Sequence, residues 1–393
     1  MSERIRLLTF TNLYPSAEKP RHGLFVRERT NRLCRALGAS QVVLLPTPRV
    51  PRFLRRSIDR LHASIADTQV HEGVSIHKAP YFHVPGLSEA AQASRMVRGA
   101  RPVFQELFDQ AKQEGCRLVV DSHYCYPDAI AAIQLAEEFD VPCLATARGS
   151  DLNVLAKQPK VRAQLEEWLP RAFARIGVSQ PLVEEFEALC PGLGRTFVAR
   201  NGVDLERFHP GDPATARSEL GLPADKALVC GVGRLVSGKG FLQMAKALHH
   251  LPSEVHFVVV GDGPEQKVLE EASPKGRLHL LGARDPDQVA RLYRASDLMV
   301  LPSLREGWPN VVTEALASGL RVVATPVGAI PEMLSNPMVG SLVRTADAKA
   351  LAGEVERFLR SPSDPDQVAR FAQRFSWDEP IQLLADTVRE AIA

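Results

Sequence analysis

The chain has 393 residues, too many for one ordinary hydrophobic core, which predicts two domains of about 200 residues each. Apolar residues make up 45% and charged residues 24% of the chain, a globular composition that excludes intrinsic disorder. The formal net charge of +2 excludes a strongly basic nucleic-acid-binding surface as a global feature.

The first four residues lead directly into an apolar run, without the layout of a signal peptide. No apolar stretch approaches the roughly 18 residues of a membrane-spanning helix. The six cysteines are scattered and form no C-x-x-C pair, so we expect reduced thiols rather than disulfides or a zinc site. These features predict a cytoplasmic protein.

Short runs rich in β-branched residues alternate with segments of helical period through the first half. This is the βαβ rhythm of a parallel sheet, and it predicts one doubly wound domain over residues 1–200. The expected strands are 5–10, 41–45, 118–120, 143–146 and 176–178, and the expected helices are 26–37, 127–139 and 161–174.

The rhythm restarts after the turn dipeptide Asn201-Gly202 and a loop rich in proline and glycine. A second doubly wound domain is therefore predicted over residues 201–375. A last helix is expected near 379–392, within the terminal segment 376–393, and its helical period alone does not decide on which domain it packs. The expected strands of the second domain are 227–230, 257–260, 278–280, 298–301 and 322–324.

A carboxylate motif of the form E-x7-E joins Glu306 to Glu314 and opens a helix directly after a predicted strand. Asn310 is the expected N-cap, which leaves the N–H groups of Val311 and Val312 as unpaired donors suited to a diphosphate. Because carboxylates repel phosphate, the two glutamates are predicted to accept hydrogen bonds from sugar hydroxyls. The alternative is that Glu314 complements the helix dipole and Glu306 is a solvated loop residue.

A glycine-rich loop lies between an earlier strand and helix of the second half. Gly233-x4-Gly238-Lys239 fits the P-loop pattern, but Gly240 stands where a nucleoside triphosphatase needs a hydroxyl to ligate Mg²⁺. The remaining cations, Arg234 and Lys239, predict a clamp for a leaving diphosphate. The alternative is a basic surface loop.

Three polar segments of the first half also follow predicted strands, where open α/β sheets place ligand-facing residues. His123 is the first candidate, although a single histidine is more often a packed or surface residue. The loop with Arg148 and Asp151 follows the next strand, and the loop with Gly23 follows the first strand. These residues are candidates for contacts with an acceptor or a phosphate.

With these motifs in place, the chain resembles the retaining glycosyltransferase family 4, and the resemblance runs from the Gly23 loop to Trp377. It implies the GT-B fold, an α/β architecture in which two Rossmann-like domains face each other across a cleft, with the last helix returning to the first domain. The matching stretches are 303–319, 324–332, 199–210, 233–240 and 260–265.

The resemblance also implies roles for individual residues. Arg234 and Lys239 would bind the donor diphosphate and Glu314 the ribose hydroxyls. Glu306 would hold hydroxyls of the transferred sugar, and His123 would reach across the cleft to that sugar. The donor-binding set would further include Gly233, Asn310, Val311 and Val312.

Two departures from the family pattern matter. The family often has His-Gly-Ser-Asp where this chain has Arg148-Gly149-Ser150-Asp151, so Arg148 is predicted to recognise an anionic acceptor instead. The common Phe-Gly after the first motif glutamate is replaced by Trp308-Pro309-Asn310.

The predicted reaction moves a sugar from a UDP- or GDP-sugar to an acceptor hydroxyl with retention, for glycolipid, polysaccharide or other glycoconjugate synthesis, without cofactor or metal. The Arg/Lys pair and E-x7-E disfavour a nucleotide-sugar epimerase or a phosphorylase of the same fold, and Gly240 disfavours a nucleoside triphosphatase. A non-catalytic sugar-nucleotide-binding protein stays open.

A basic segment near residue 50 predicts peripheral contact with an anionic membrane or a polyanionic acceptor. An ordinary surface helix packed on the N-terminal core is the competing interpretation. The segment carries Arg49, Arg52, Arg55, Arg56 and Arg60 against the single acid Asp59, with an apolar stripe of Leu54, Ile58, Leu61 and Ile65.

Overall fold

The computed structural model describes residues 4–49, 68–83, 89–344 and 347–393. The chain divides into two compact units, Met1–Asn201 together with Asp378–Ala393, and Gly202–Trp377. Each unit contains a mainly parallel sheet with helices, so the predicted α/β class is confirmed.

The first unit is organised around an eight-stranded sheet in its described part, with the order β3-β4-β2-β1-β5-β6-β7-β8. All neighbouring strands are parallel except β3 and β4, which form an antiparallel hairpin. Its strands are β1 (Arg4–Phe10), β2 (Ser40–Arg49), β3 (Thr68–His71), β4 (Val74–Phe82), β5 (Cys116–His123), β6 (Cys143–Ala147), β7 (Ala174–Gly177) and β8 (Thr196–Val198).

The helices of this unit bury one apolar face each, as helical periodicity requires. Met96, Phe104 and Leu107, for example, are spaced to lie on one side of the second helix, and all are buried. The helices are α1 (Leu24–Leu37), α2 (Gln92–Gln113), α3 (Ile130–Glu138), α4 (Ser150–Asn153), α5 (Pro159–Trp168) and α6 (Gln180–Leu189), with 3₁₀ turns at Glu89–Ala91, Leu155–Lys157 and Leu169–Arg171 and a π turn at Cys125–Ala129.

One prediction for the first unit was wrong, and some of its elements were missed. The helix expected over 161–174 ends at Trp168, because a 3₁₀ turn follows and Ala174 already pairs with Leu144 in the sheet. The hairpin β3–β4 and the helix α2 were not predicted, although the turn between the two strands contains Gly73.

The second unit has a six-stranded parallel sheet in its described part, ordered β11-β10-β9-β12-β13-β14. Its strands are β9 (Ala227–Val232), β10 (Val255–Val260), β11 (Leu278–Leu280), β12 (Leu298–Leu301), β13 (Val322–Ala324) and β14 (Gly340–Leu342). Its helices are α7 (Pro213–Leu220), α8 (Phe241–Ala247), α9 (Gln266–Ala272), α10 (Pro286–Ala295), α11 (Asn310–Ala317), α12 (Ile330–Met333), α13 (Ala348–Arg360) and α14 (Pro365–Ala372), with 3₁₀ turns at Ser237–Lys239, Leu248–His250 and Gln373–Phe375.

The last helix, α15 (Asp378–Ile392), belongs to the first unit, although its period alone leaves its docking undecided. The Arg389 guanidinium donates to the carbonyl of Ala36 at the end of α1, at 3.1 Å. Glu390 pairs with Arg195 at 2.5 Å. These contacts attach the C-terminal residues to the same unit as the N-terminal sheet.

The predicted basic segment from Arg49 to Ile65 lies outside the described residues, apart from Arg49 at the end of β2. Membrane contact through it therefore stays a prediction. Among the residues that the structure does describe, no helix combines the length and apolar character needed to cross a bilayer.

Candidate functional site

The order of the second sheet has a switch point between β9 and β12. From β9 the chain proceeds outward to β10 and β11, whereas from β12 it proceeds to β13 and β14 on the other side. Open α/β sheets bind ligands at the carboxyl ends of the strands beside such a point. The glycine-rich loop follows β9 and the E-x7-E motif follows β12, so both motifs lie at this position.

The two loops contact each other directly. The Lys239 ammonium lies 2.7 Å from a carboxylate oxygen of Glu306, and these side chains are 26% and 10% exposed. The N–H of Leu304 also donates to the carbonyl of Gly238 at 2.9 Å. Arg234 is exposed on the same loop. The structure therefore pairs Lys239, predicted to bind the donor diphosphate, with Glu306, predicted as a catalytic residue that holds the transferred sugar, and Arg234 lies on the same loop as Lys239.

Gly240 shows why the loop is not a P-loop. Its φ is +69°, a left-handed conformation that residues with a side chain rarely adopt. A Cβ atom at this position would lie 2.0 Å from the carbonyl oxygen of Pro302. The backbone of the E-x7-E loop therefore occupies the place of the Ser or Thr that a nucleoside triphosphatase requires.

The prediction for the start of the motif helix was wrong by one residue. Pro309 is the N-cap and Asn310 the first residue of α11, because the extended backbone of Pro309 precedes the helical turn. The N–H of Val312 donates to the Pro309 carbonyl at 3.0 Å, so it is not an unpaired donor. Val311 remains within the first turn, whose N–H groups precede the regular helical bonds.

Glu314 is a mostly buried carboxyl next to a buried tyrosine that the sequence analysis missed. The Tyr293 hydroxyl lies 3.3 Å from a Glu314 oxygen and 3.2 Å from the carbonyl of Val311. Burial raises the pKa of Glu314 to about 7, against the opposing effect of the Tyr293 contact. Tyr293 lies on the buried face of α10 and looks like an ordinary core residue in the sequence.

His123 belongs to a fully buried polar cluster in the first unit. Its Nε2 lies 3.1 Å from Asp121, and its Nδ1 lies 2.7 Å from the Arg148 guanidinium. Because arginine only donates, Nδ1 is the acceptor and Nε2 carries the proton. Burial and Arg148 lower the pKa of His123 to about 4 despite Asp121, so the ring is neutral at neutral pH. The ring has no exposed surface, and its contact with the transferred sugar stays a prediction.

Arg29 is a further member of this cluster that sequence reasoning missed. Its guanidinium is fully buried, donates to the Thr146 hydroxyl at 3.0 Å and lies 3.8 Å from Asp121. Burial opposes ionisation of Asp121, but His123 and Arg29 hold its pKa at about 2. An arginine within an amphipathic helix gives no signal in the sequence that it faces the core.

The structure assigns internal contacts to the other candidates of the first half. Arg148 donates to Asn201 at 2.8 Å and stacks over Phe25, so its guanidinium contacts the protein. The Asp151 carboxylate is fully buried and accepts N–H bonds from Arg148, Gly149 and Cys125, which makes it an organiser of the loop. That this loop contacts an acceptor or a phosphate stays a prediction.

Gly23 is also explained by packing within the chain. It has a φ of +72°, and a Cβ there would lie 2.2 Å from the carbonyl oxygen of Leu13. The absence of a side chain at Gly23 therefore allows the close approach of Leu13, and contact of this loop with a phosphate or an acceptor stays a prediction. Within the described ranges, no group of three His, Cys, Asp or Glu side chains is arranged to hold a metal ion.

Comparison with known proteins agrees with this architecture. Residues 212–375 match the family described as "Glycosyl transferases group 1". The chain is 30% identical over 360 residues to the putative teichuronic acid biosynthesis glycosyltransferase TuaC of Bacillus subtilis (strain 168), covering 90% of this chain and 89% of that protein.

Solved structures match the fold over nearly the whole chain. Sucrose-phosphate synthase from Thermosynechococcus elongatus has a TM-score of 0.79 at 20% identity, with 99% of both chains covered. HepE from Anabaena, in complex with UDP-glucose, has a TM-score of 0.69 at 19% identity, covering 98% of this chain and 99% of that one. Two Rossmann-like units of this kind define a GT-B glycosyltransferase, as predicted. The chain belongs to the group 1 glycosyl transferases.

Proposed function

We propose that this glycosyltransferase is a retaining, metal-independent member of family 4 that uses a UDP- or GDP-sugar. The observation that carries the proposal is the meeting of the Arg234/Lys239 loop with the E-x7-E motif at the switch point of the second sheet. In this assignment Arg234 and Lys239 bind the diphosphate. Glu314 binds the ribose, and Glu306 binds the transferred sugar. The bound UDP-glucose in the structure of HepE supports a nucleotide-sugar donor.

The proposed chemistry needs little from acid–base residues of the protein. The bond between the anomeric carbon and the donor phosphate oxygen breaks as the acceptor oxygen forms the new glycosidic bond on the same face of the sugar, and the leaving diphosphate accepts the proton of the acceptor hydroxyl. Arg234 and Lys239 stabilise the negative charge that develops on the diphosphate, which is the kind of interaction that lowers a transition-state barrier most. The remainder of the site holds donor and acceptor in reacting geometry.

Nucleotide affinity tests the assignment of these residues. Screening UDP, GDP and ADP for thermal stabilisation identifies the nucleotide, because a ligand that binds only the folded state raises stability. We then expect Glu314→Ala and Arg234→Ala to weaken its binding, whereas Glu306→Ala mainly lowers turnover, because ribose and phosphate contacts exist before reaction. Isothermal titration calorimetry measures the three affinities. Unchanged affinity in both Glu314→Ala and Arg234→Ala would contradict the site.

Glu314 also predicts the pH dependence of donor binding. Its pKa of about 7 lies above the usual carboxyl value, so the group is mostly protonated at about pH 6 and mostly ionised at about pH 8. If the carboxylate accepts ribose hydroxyls, affinity for UDP-glucose rises about tenfold between these pH values. Glu314→Gln should abolish this rise. If the affinity for UDP-glucose rises equally with pH in the native protein and in Glu314→Gln, another group is responsible for the rise.

Metal independence is a separate prediction. Transfer activity should persist in excess EDTA, because Arg234 and Lys239 supply the positive charge that Mg²⁺ supplies in other transferases. Release of the nucleotide diphosphate in the presence of acceptor is the measurement. Loss of turnover on chelation, with recovery on adding Mn²⁺ or Mg²⁺, would contradict this part of the proposal.

A further inference from the structure

Tyr293 places a buried hydroxyl next to the second glutamate of the E-x7-E motif. The residue lies on α10 and is 1% exposed, and the Phe208 ring packs against it with the two ring centroids 6.1 Å apart. Because the helix and this packing hold the ring, only the O–H bond of Tyr293 rotates. The hydroxyl oxygen therefore has a set position from which it donates its one hydrogen to one acceptor or another.

Two acceptors compete for this single hydrogen. An oxygen of the Glu314 carboxyl lies 3.3 Å from the hydroxyl, and the carbonyl oxygen of Val311 lies 3.2 Å from it. Both distances exceed the roughly 2.5–3.0 Å that is usual when a hydroxyl donates to one oxygen, and they fit one hydrogen shared by two acceptors. Val311 and Glu314 are three residues apart on α11, so they lie on the same side of that helix.

The charge of Glu314 decides which acceptor receives the hydrogen. A hydrogen bond to an ionised group is roughly twice as strong as one between neutral groups. An ionised Glu314 therefore draws the hydrogen away from the Val311 carbonyl, whereas a neutral carboxyl competes with that carbonyl on similar terms. Tyr293 itself stays protonated, because burial and the charge of Glu314 raise its pKa well above its ordinary value. The contact therefore favours the ionised form of Glu314.

Other charges near Glu314 do not replace this contact. Among the residues that the structure describes, only the Tyr293 hydrogen bond and then the charge of Arg207 oppose the rise that burial causes in the pKa of Glu314. Arg207 is itself paired with Asp204 and Asp287, at 3.2 and 2.8 Å. The charged side chains on the helices packed against α11 add nothing to the shift; they are Asp287, Arg291, Arg294, Glu332, Asp366 and Arg370.

We infer that Tyr293 is a positioning residue that holds Glu314 as an ionised acceptor for the hydroxyls of the donor ribose. The inference rests on the proposed function for the ribose, whereas the effect of Tyr293 on the charge of Glu314 rests on their contact. The tyrosine contacts the Oε2 atom of Glu314, so Oε1 can accept from the ribose. Without the hydroxyl, the buried carboxyl would keep its proton to a higher pH and bind the donor less tightly at neutral pH.

The titration of Glu314 tests the effect of Tyr293 without any ligand. We expect Tyr293→Phe to move the midpoint of this titration upward by about one pH unit, because the variant removes a hydrogen bond to a charged group. NMR of protein labelled with carbon-13 at the glutamate side-chain carboxyls measures the midpoint, and the resonance that is missing from Glu314→Gln identifies the residue. An unchanged midpoint in Tyr293→Phe would overturn the inference.

Two further measurements guard against a change in folding. Phenylalanine keeps the ring that packs on Phe208, and chemical denaturation shows whether Tyr293→Phe is folded. Tyr81→Phe removes another buried tyrosine hydroxyl, in the first unit, and should leave the Glu314 titration unchanged. In the native protein, one tyrosine Cζ resonance should shift with the same midpoint as Glu314, because the Tyr293 hydrogen moves toward the carboxylate. The absence of such a resonance would also contradict the inference.

Donor affinity at several pH values tests the link to the ribose. The probe is UDP-glucose or GDP-mannose, according to the nucleotide that stabilises the protein. Both phosphates of these donors are esterified, so they lack the terminal phosphate group that titrates near about pH 6. We expect Tyr293→Phe to bind the donor about fivefold more weakly than the native protein at pH 7, and within about twofold at pH 8.5, where Glu314 is mostly ionised in both proteins. Isothermal titration calorimetry measures the affinities, and equal weakening at both pH values would indicate a purely structural role and refute the inference.

The inference and the proposed function fail in different ways. If Tyr293→Phe moves the Glu314 midpoint but donor affinity is independent of pH in both proteins, Tyr293 does hold Glu314 ionised and the proposed ribose contact is wrong. If donor affinity rises with pH over the same range in the native protein and in Tyr293→Phe, the assignment of Glu314 stands and the role of Tyr293 is wrong.

Discussion

Lys239→Ala is expected to lower kcat/KM by about 10²-fold or more while the protein remains folded. The Lys239 ammonium is partly exposed at the switch point of the second sheet, so its removal leaves no cavity in a core. The substitution removes a charge that opposes the developing diphosphate anion, and it also leaves Glu306 without its partner at 2.7 Å. Steady-state kinetics with saturating acceptor measure the effect.

A neighbouring lysine provides the control for this experiment. Lys246 is exposed near the end of α8, the helix that follows the loop of Lys239, and Lys246→Ala should retain full activity. The double variant Lys239→Ala/Glu306→Gln separates the two effects, because a lysine that only neutralises Glu306 becomes dispensable once the carboxylate is gone. If the double variant is no less active than Glu306→Gln alone, Lys239 does not act on the diphosphate.

Gly240→Ser is expected to destabilise the second unit by at least about 2 kcal/mol and to abolish transfer. The serine side chain must adopt the left-handed backbone of Gly240, and its Cβ atom would start 2.0 Å from the carbonyl oxygen of Pro302. Relief of this contact requires the β9 loop to move away from the E-x7-E loop. Chemical denaturation measures the loss of stability, and the variant should gain no nucleoside triphosphatase activity although it completes the P-loop pattern.

Gly238→Ser is the matched control within the same loop. A Cβ at Gly238 would meet no atom within 4 Å, and this glycine does not have a positive φ. The same chemical change is therefore expected to have little effect on stability there. If Gly240→Ser and Gly238→Ser are equally stable, Gly240 does not pack against Pro302 as closely as the structure shows.

The amino-acid pattern by itself predicted the class of fold and the place of the motifs. Runs such as Leu298–Leu301 and Val322–Ala324 were located to the residue, because a buried parallel strand is a continuous apolar run that differs locally from a helix. The hairpin of β3 and β4 was missed. The exposed edge strand β3 is short, and its residues provide little apolar alternation to detect.

The tertiary structure decided which of the polar residues meet and which of them are buried. Lys239 and Glu306 are 67 residues apart in the sequence, and their ion pair depends on β9 lying next to β12. Arg29 joins Asp121 only because β1 and β5 are neighbours in the sheet and α1 packs on that side. The Asp151 carboxylate points inward and accepts hydrogen bonds from backbone N–H groups. The sequence of a loop does not reveal this direction. Local periodicity reports how each segment divides its residues between core and solvent, whereas strand order and long-range contacts arise from the packing of all segments together.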